Sequence, residues 1–130
     1  MKLPFSLPHL TLIVALAVVM AFVFMTPLCG QLFGCGCSFL WSGADAHCNV
    51  KREAPPHCPW CSHGTAGFAL PLAGFIVGQS FAGVLTLWRF GKLAGALAVT
   101  AVSMLPIGLL TGWATTWLLG YPHFLPFRHV

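Results

Sequence analysis

Residues 66–119 read AGFALPLAGFIVGQSFAGVLTLWRFGKLAGALAVTAVSMLPIGLLTGWATTWLL. Crossing the hydrocarbon core of a bilayer takes about 20 apolar residues at ~1.5 Å rise per residue. This stretch holds two such runs, 66–88 and 93–119, separated only by Arg89, Phe90, Gly91 and Lys92. A connection that short forces a tight antiparallel hairpin. Upstream, residues 8–26, PHLTLIVALAVVMAFVFMT, form a third run of sufficient length. Pro8 suits a first helical turn, and Pro27 is expected to end the helix. No A-x-A-like cleavage site follows this run, and Leu28 before Cys29 does not suit lipoprotein processing, so it reads as an uncleaved signal anchor.

Composition agrees with membrane insertion. Apolar residues make up 58% of the 130 residues and charged residues 6%, against the ~25% charged of a soluble domain. No charge falls between Leu3 and Ala44, between Ala54 and Trp88, or between Leu93 and Phe127. The few bases form no cluster, which excludes a nucleic-acid interface. The expected fold is therefore an all-α integral membrane protein with three transmembrane helices, forming one membrane domain over residues 1–130. Within it lie a Cys/His-rich loop at 28–64, between the first and second helices, and a short tail at 120–130.

Three spans place the loop and the tail on one membrane face. That face then carries all six cysteines and five of the six histidines, His123 and His129 among them; only His9 is opposite. Lys2, Arg89 and Lys92 share one side and Lys51, Arg52 and Arg128 the other. Weighting the short basic turn puts the N-terminus inside and the loop outside the cell (inner) membrane.

Packing signals are small residues. Gly74 with Gly78 and Gly108 with Gly112 are G-x-x-x-G pairs, which let helices approach closely in lipid, within the hairpin or against other membrane subunits. Folding about residues 90–91 sets Gly74 level with Gly108 and Gln79 level with Ser103, giving the Gln79 amide a partner. Trp88, Trp113, Trp117 and Tyr121 read as an interfacial aromatic belt.

Chemistry is concentrated in the loop. Residues 28–43, LCGQLFGCGCSFLWSG, are apolar and glycine-rich and are expected to lie at the interface. Residues 44–64, ADAHCNVKREAPPHCPWCSHG, are polar and expected in water. The pairs Cys35-Gly-Cys37 and Cys58-Pro-Trp-Cys61 supply four soft ligands, with His57, His63 and Cys48 as alternates. Thiolate or mixed Cys/His ligation suits zinc, copper or an iron–sulfur cluster. The leading expectation is metal handling or electron transfer, as an accessory subunit of a membrane assembly. A second reading closes the loop with disulfides, Cys29 to Cys48 for example, in a non-catalytic assembly subunit. A third makes Cys58 and Cys61 the catalytic dithiol of a membrane thiol–disulfide oxidoreductase. Its weakness is the proline-rich segment that stands where a thioredoxin-like strand should be. No phosphate-cradling glycine loop, G-x-S-x-G or H-E-x-x-H occurs.

Overall fold

The computed structural model describes residues 6–51, 53, 57–122, 124 and 125. Helix α1 spans Leu7–Phe33, α2 is the short Pro59–Ser62, α3 spans Gly64–Phe90, and the last span is divided into α4 (Leu93–Val102) and α5 (Met104–Leu119). Two 3₁₀ turns, Leu40–Ser42 and Asn49–Lys51, lie in the loop, and the described residues contain no strand. Leu7–Phe33, Gly64–Phe90 and Leu93–Leu119 are each long and apolar enough to cross a membrane. The all-α architecture with a cysteine-rich loop between the first and second spans is therefore the one observed.

The end of α1 differs from expectation. The helix runs through Pro27 for six more residues, to Phe33. Proline removes one backbone hydrogen bond, but unwinding near the hydrocarbon would expose several unpaired groups, so continuing is cheaper. Leu32 and Phe33, expected at the interface, are instead buried helix residues. The added turns also carry Cys29 into the helix, with consequences for the site. Pro106 interrupts the third span as expected. It has no N–H for the Val102 carbonyl, and the break falls at Ser103, directly after that residue. At the hairpin turn Gly91 adopts φ +65°, and its N–H donates to the Leu87 carbonyl at 2.8 Å, a left-handed helix end that suits glycine.

Helix α1 packs against α3, α4 and α5, and α3 packs against α4 and α5. Near the hairpin turn Gly83 faces Thr100, one residue from the expected register. Beyond the Ser103 break Gly74 faces Thr111 and Gly78 faces Ile107, three residues from it. The interruption thus slips the two helices past each other. Gly108 lies under Leu28 and Phe75, and Gly112 under Leu32 and Phe124, so all four glycines make contacts inside this chain. Outward faces are apolar: Leu70, Val77, Phe81, Leu105, Trp113 and Trp117 are exposed, as lipid-facing residues should be. Tyr121 is the exception to the expected aromatic belt, being buried with its hydroxyl turned inward.

The register slip removes the expected partner of Gln79. Ser103 donates instead to the Thr100 carbonyl at 3.0 Å. Gln79 is fully buried, and neither amide atom has a hydrogen-bond partner among the described residues. Leaving such a group unpaired costs about 1–3 kcal/mol. Gln79→Met, close in volume, should therefore raise thermal stability in detergent by a similar amount. A lower unfolding midpoint in the variant would mean that the amide does bond in the native state.

The buried residues form two groups. A small one, Ile13, Leu87 and Ala96, sits at the hairpin end. The large one sits at the opposite end, and Cys29, Cys35, Cys37, Cys48 and Cys58 belong to it, alongside Met25, Phe33, Trp60 and Phe75. The loop is thus part of the main core.

Candidate metal centre

Four parts of the chain deliver the six thiols. Cys29 projects from the last turns of α1. Cys35 and Cys37 follow the left-handed Gly34 that ends this helix. Cys48 precedes the 3₁₀ turn at Asn49, Cys58 caps α2, and Cys61 lies within α2. Five of the six are buried, at 8% exposure or less, and Cys61 is half-buried. The Sγ atoms of Cys29 and Cys58 are 3.1 Å apart, those of Cys29 and Cys35 3.5 Å, and those of Cys37 and Cys61 3.8 Å. Three triads have all their sulfurs within 4.8 Å of one another: Cys29/Cys35/Cys58, Cys29/Cys37/Cys61 and Cys35/Cys37/Cys48. This geometry can hold a metal ion.

Two glycines make that convergence possible. A Cβ on Gly30 would overlap the carbonyl oxygen of Cys37, so the returning chain lies directly on the α1 backbone. Gly36, at φ +88°, passes the His47 carbonyl just as closely. Backbone bonds lock the crossing: the Asn49 N–H donates to the Cys35 carbonyl at 2.7 Å and the Ser38 N–H to that of Ala44 at 2.8 Å. The Asn49 side chain then ties three segments together. Its Oδ1 accepts from the Cys58 N–H at 2.8 Å and its Nδ2 donates to the Tyr121 hydroxyl at 3.1 Å. The Tyr121 hydroxyl donates to the Phe33 carbonyl at 3.4 Å. The contact between Tyr121 and the loop also places the start of the tail at the cysteine end of the bundle.

Trp60 closes the site from the α2 side. It is 1% exposed and meets Phe33 and Phe75 edge-on, with ring centroids 5.2 and 5.8 Å away. Its Nε1–H donates to Thr115 Oγ1 at 3.0 Å. The half of the loop expected in water is therefore divided. Ala46, His47 and Lys51 are exposed, whereas Cys48, Cys58, Pro59 and Trp60 are buried. A small cleft lined by Met25, Thr26, Phe68 and Trp60 reaches Cys29, Cys37 and Cys61.

Proton sharing among the sulfurs is uneven. Hydrogen bonds from Cys29, then from Cys37 and Cys58, hold Cys61 well below the usual thiol range. Cys35 is lowered in the same way, first by Cys29. For Cys37 and Cys58, hydrogen bonding to Cys29 pulls down but is outweighed by bonds to Cys35 and Cys61 and by burial, so both thiols are raised. Burial is the largest cause of the rise of Cys48 to about 11. Without a cation, so compact a set of sulfurs keeps most of its protons.

The structure brings Cys35, Cys37, Cys58 and Cys61 into the cluster together with Cys48, and it adds Cys29. Cys29 belongs to two of the three triads. The sequence reading gave Cys29 to a disulfide with Cys48 and left it out of the metal set; its spacing of six from Cys35 was the available signal. The histidines turn elsewhere. His57 Nδ1 lies 3.0 Å from the Asn49 carbonyl, and His63 Nδ1 lies 3.0 Å from Ser62 Oγ and 3.3 Å from the Pro59 carbonyl. Neither joins a sulfur triad. His123 and His129 lie outside the described residues.

The disulfide reading is corrected by these distances. All six cysteines are free thiols, and the nearest pair, at 3.1 Å, is well beyond the ~2.05 Å of an S–S bond. Cys29 and Cys48, the expected staple, share no triad. Burial among apolar residues explains the closeness without bonding, since free cysteine packs as a small hydrophobe. The redox pair does not stand alone either: Cys58 lies against Cys29, and Cys61 against Cys37.

Comparison with protein-family models, curated proteins and solved structures finds no match. The chemistry of the site rests on its geometry.

If Cys29 is the shared ligand, Cys29→Ser should weaken metal binding by more than the ~10–100-fold that follows loss of a residue that merely supports a ligand. His63→Ala should leave it unchanged. Competition with a chelator of known affinity measures both, and equal affinities for the two variants would remove Cys29 from the site.

Proposed function

We propose that this protein is a small multi-pass membrane protein that binds a soft transition metal through its cysteine cluster, for metal handling at the membrane. One observation carries the reading: five buried thiols and one half-buried thiol, drawn from four parts of the chain, converge at one end of a bundle that fits a membrane. Bringing six polarisable sulfurs together is an arrangement that soft metals reward, and no carboxylate or imidazole among the described residues belongs to the triads. The tight turn bearing Arg89 and Lys92 favours an inside N-terminus, with the cluster on the outer side.

Anaerobic purification followed by elemental analysis and thiol counting tests the proposal. The expected result is bound copper, zinc or iron, with thiols that react with a thiol reagent only after a chelator has been added. Failure to take up any of these metals on reconstitution, with all thiols reacting freely, would overturn it. Acid should also release the metal. Cys48, with its pKa near 11, is protonated at neutral pH and must lose a proton to become a ligand. Each proton displaced on binding makes affinity fall about tenfold per unit decrease in pH. Affinity independent of pH between 5 and 8 would argue against thiolate ligation.

A further inference from the structure

The arrangement of the triads goes further than the presence of a site. Every two of them share one sulfur: Cys29 joins the Cys58 and Cys61 triads, Cys35 joins the Cys58 and Cys48 triads, and Cys37 joins the Cys61 and Cys48 triads. The three shared sulfurs, Cys29, Cys35 and Cys37, therefore also lie within 4.8 Å of one another and form a central triangle, with Cys58, Cys61 and Cys48 each set against one of its edges; drawing those outer three together would complete an octahedron. The fourth face of that octahedron would be Cys48/Cys58/Cys61, which is not one of the compact triads and would be completed on loading.

From this geometry, and resting on the soft-metal reading above, we infer that the pocket takes copper(I) as a tetranuclear cluster, with one copper on each alternate face of the sulfur octahedron. Each copper is held by three sulfurs, and each of the six thiolates bridges two coppers. The compact sets hold three sulfurs apiece, the number copper(I) readily takes with thiolates, whereas zinc and iron–sulfur centres ask for tetrahedral sites. Sγ separations of 3.1–3.8 Å show three edges of the set already closed, and these edges widen as a metal seats on a face. Loading balances simply. Four copper(I) ions with six thiolates carry a net charge of −2, the protons that the thiols still hold leave to water, and copper keeps its oxidation state. Burial of five of the six thiols limits the approach of water to the cluster.

Full-length reduced protein in detergent is titrated anaerobically with copper(I) against a chromogenic chelator, and the loaded protein is examined by X-ray absorption. The expected result is four coppers per chain, taken up cooperatively, with three sulfur neighbours each and a copper–copper signal. Cys48→Ser adds a second readout. Cys48 lies in only one observed triad, yet as a bridge it serves two coppers, so its loss should cut the stoichiometry and abolish the cooperativity. One or two coppers per chain in the wild type, unaffected by Cys48→Ser, overturns the tetranuclear cluster and leaves the soft-metal reading standing. A single zinc or iron centre in a protein that refuses copper does the same. A chain that binds none of these metals overturns both.

Discussion

Gly30→Ala is expected to lower metal affinity about tenfold to a hundredfold while leaving the helix content unchanged. Helix propensity alone predicts the opposite sign, because alanine stabilises a helix interior by about 1 kcal/mol over glycine. Here the added methyl meets the carbonyl oxygen of Cys37. A flexible side chain could swing away, but a backbone carbonyl can yield only if its chain segment retreats. Such overpacking costs about 1–3 kcal/mol, and the retreat withdraws Cys37, which belongs to two triads. At ~1.4 kcal/mol per factor of ten, that cost gives the stated loss. Gly95→Ala is the control: it lies in α4 with nothing near its would-be Cβ, so it should stabilise the protein and leave metal binding alone. Chelator competition and circular dichroism on the two variants decide the matter. Identical metal affinity in Gly30→Ala and the wild type would mean that the crossing at Gly30 does not shape the site.

Trp60→Ala should destabilise the metal-free protein by about 3–5 kcal/mol, the usual cost of emptying a buried aromatic site. The indole is held between Phe33 of α1 and Phe75 of α3 and is tied to Thr115 of α5. Among the described residues of α2, it alone reaches all three spans through ring contacts or hydrogen bonds. Removing it frees the segment that carries Cys58 and Cys61, so the loss should reappear as weakened metal binding. Trp60→Phe keeps most of the ring contact and forfeits one hydrogen bond, which is worth about 1 kcal/mol. Thermal unfolding in detergent should therefore rank wild type, Trp60→Phe and Trp60→Ala in descending order. A Trp60→Ala midpoint within error of the wild type would show that α2 is not held by this side chain.

Much of the fold was legible because membrane insertion is dictated by local composition. Three apolar runs and a four-residue turn specify three spans and a hairpin whatever the detailed packing, since each backbone group in lipid must be satisfied within its own helix. The break in the third span was legible for a similar reason, as Pro106 lacks a donor wherever it sits in a helix. The register was harder to read. A sequence does not say how far α5 slips after Ser103, and that slip leaves Gln79 without its expected partner.

The candidate site divides the same way. The six cysteines and their crowding into one loop region are plain in the sequence, and so is their suitability for a soft metal. Which of them meet was decided by contacts between distant segments. Helix α1 outruns Pro27 and so presents Cys29, Gly30 lets the chain return across the helix, and Asn49 fastens the Cys58 segment to the first half of the loop. His57 and His63, alternates to the cysteines in the sequence, lie instead against backbone carbonyls. The sequence by itself determined the membrane helices and the kind of ligand, because both depend on residue type and local spacing. Only the tertiary structure decided which sulfurs lie close enough to share a metal, because that depends on where two backbones can approach closely enough to touch.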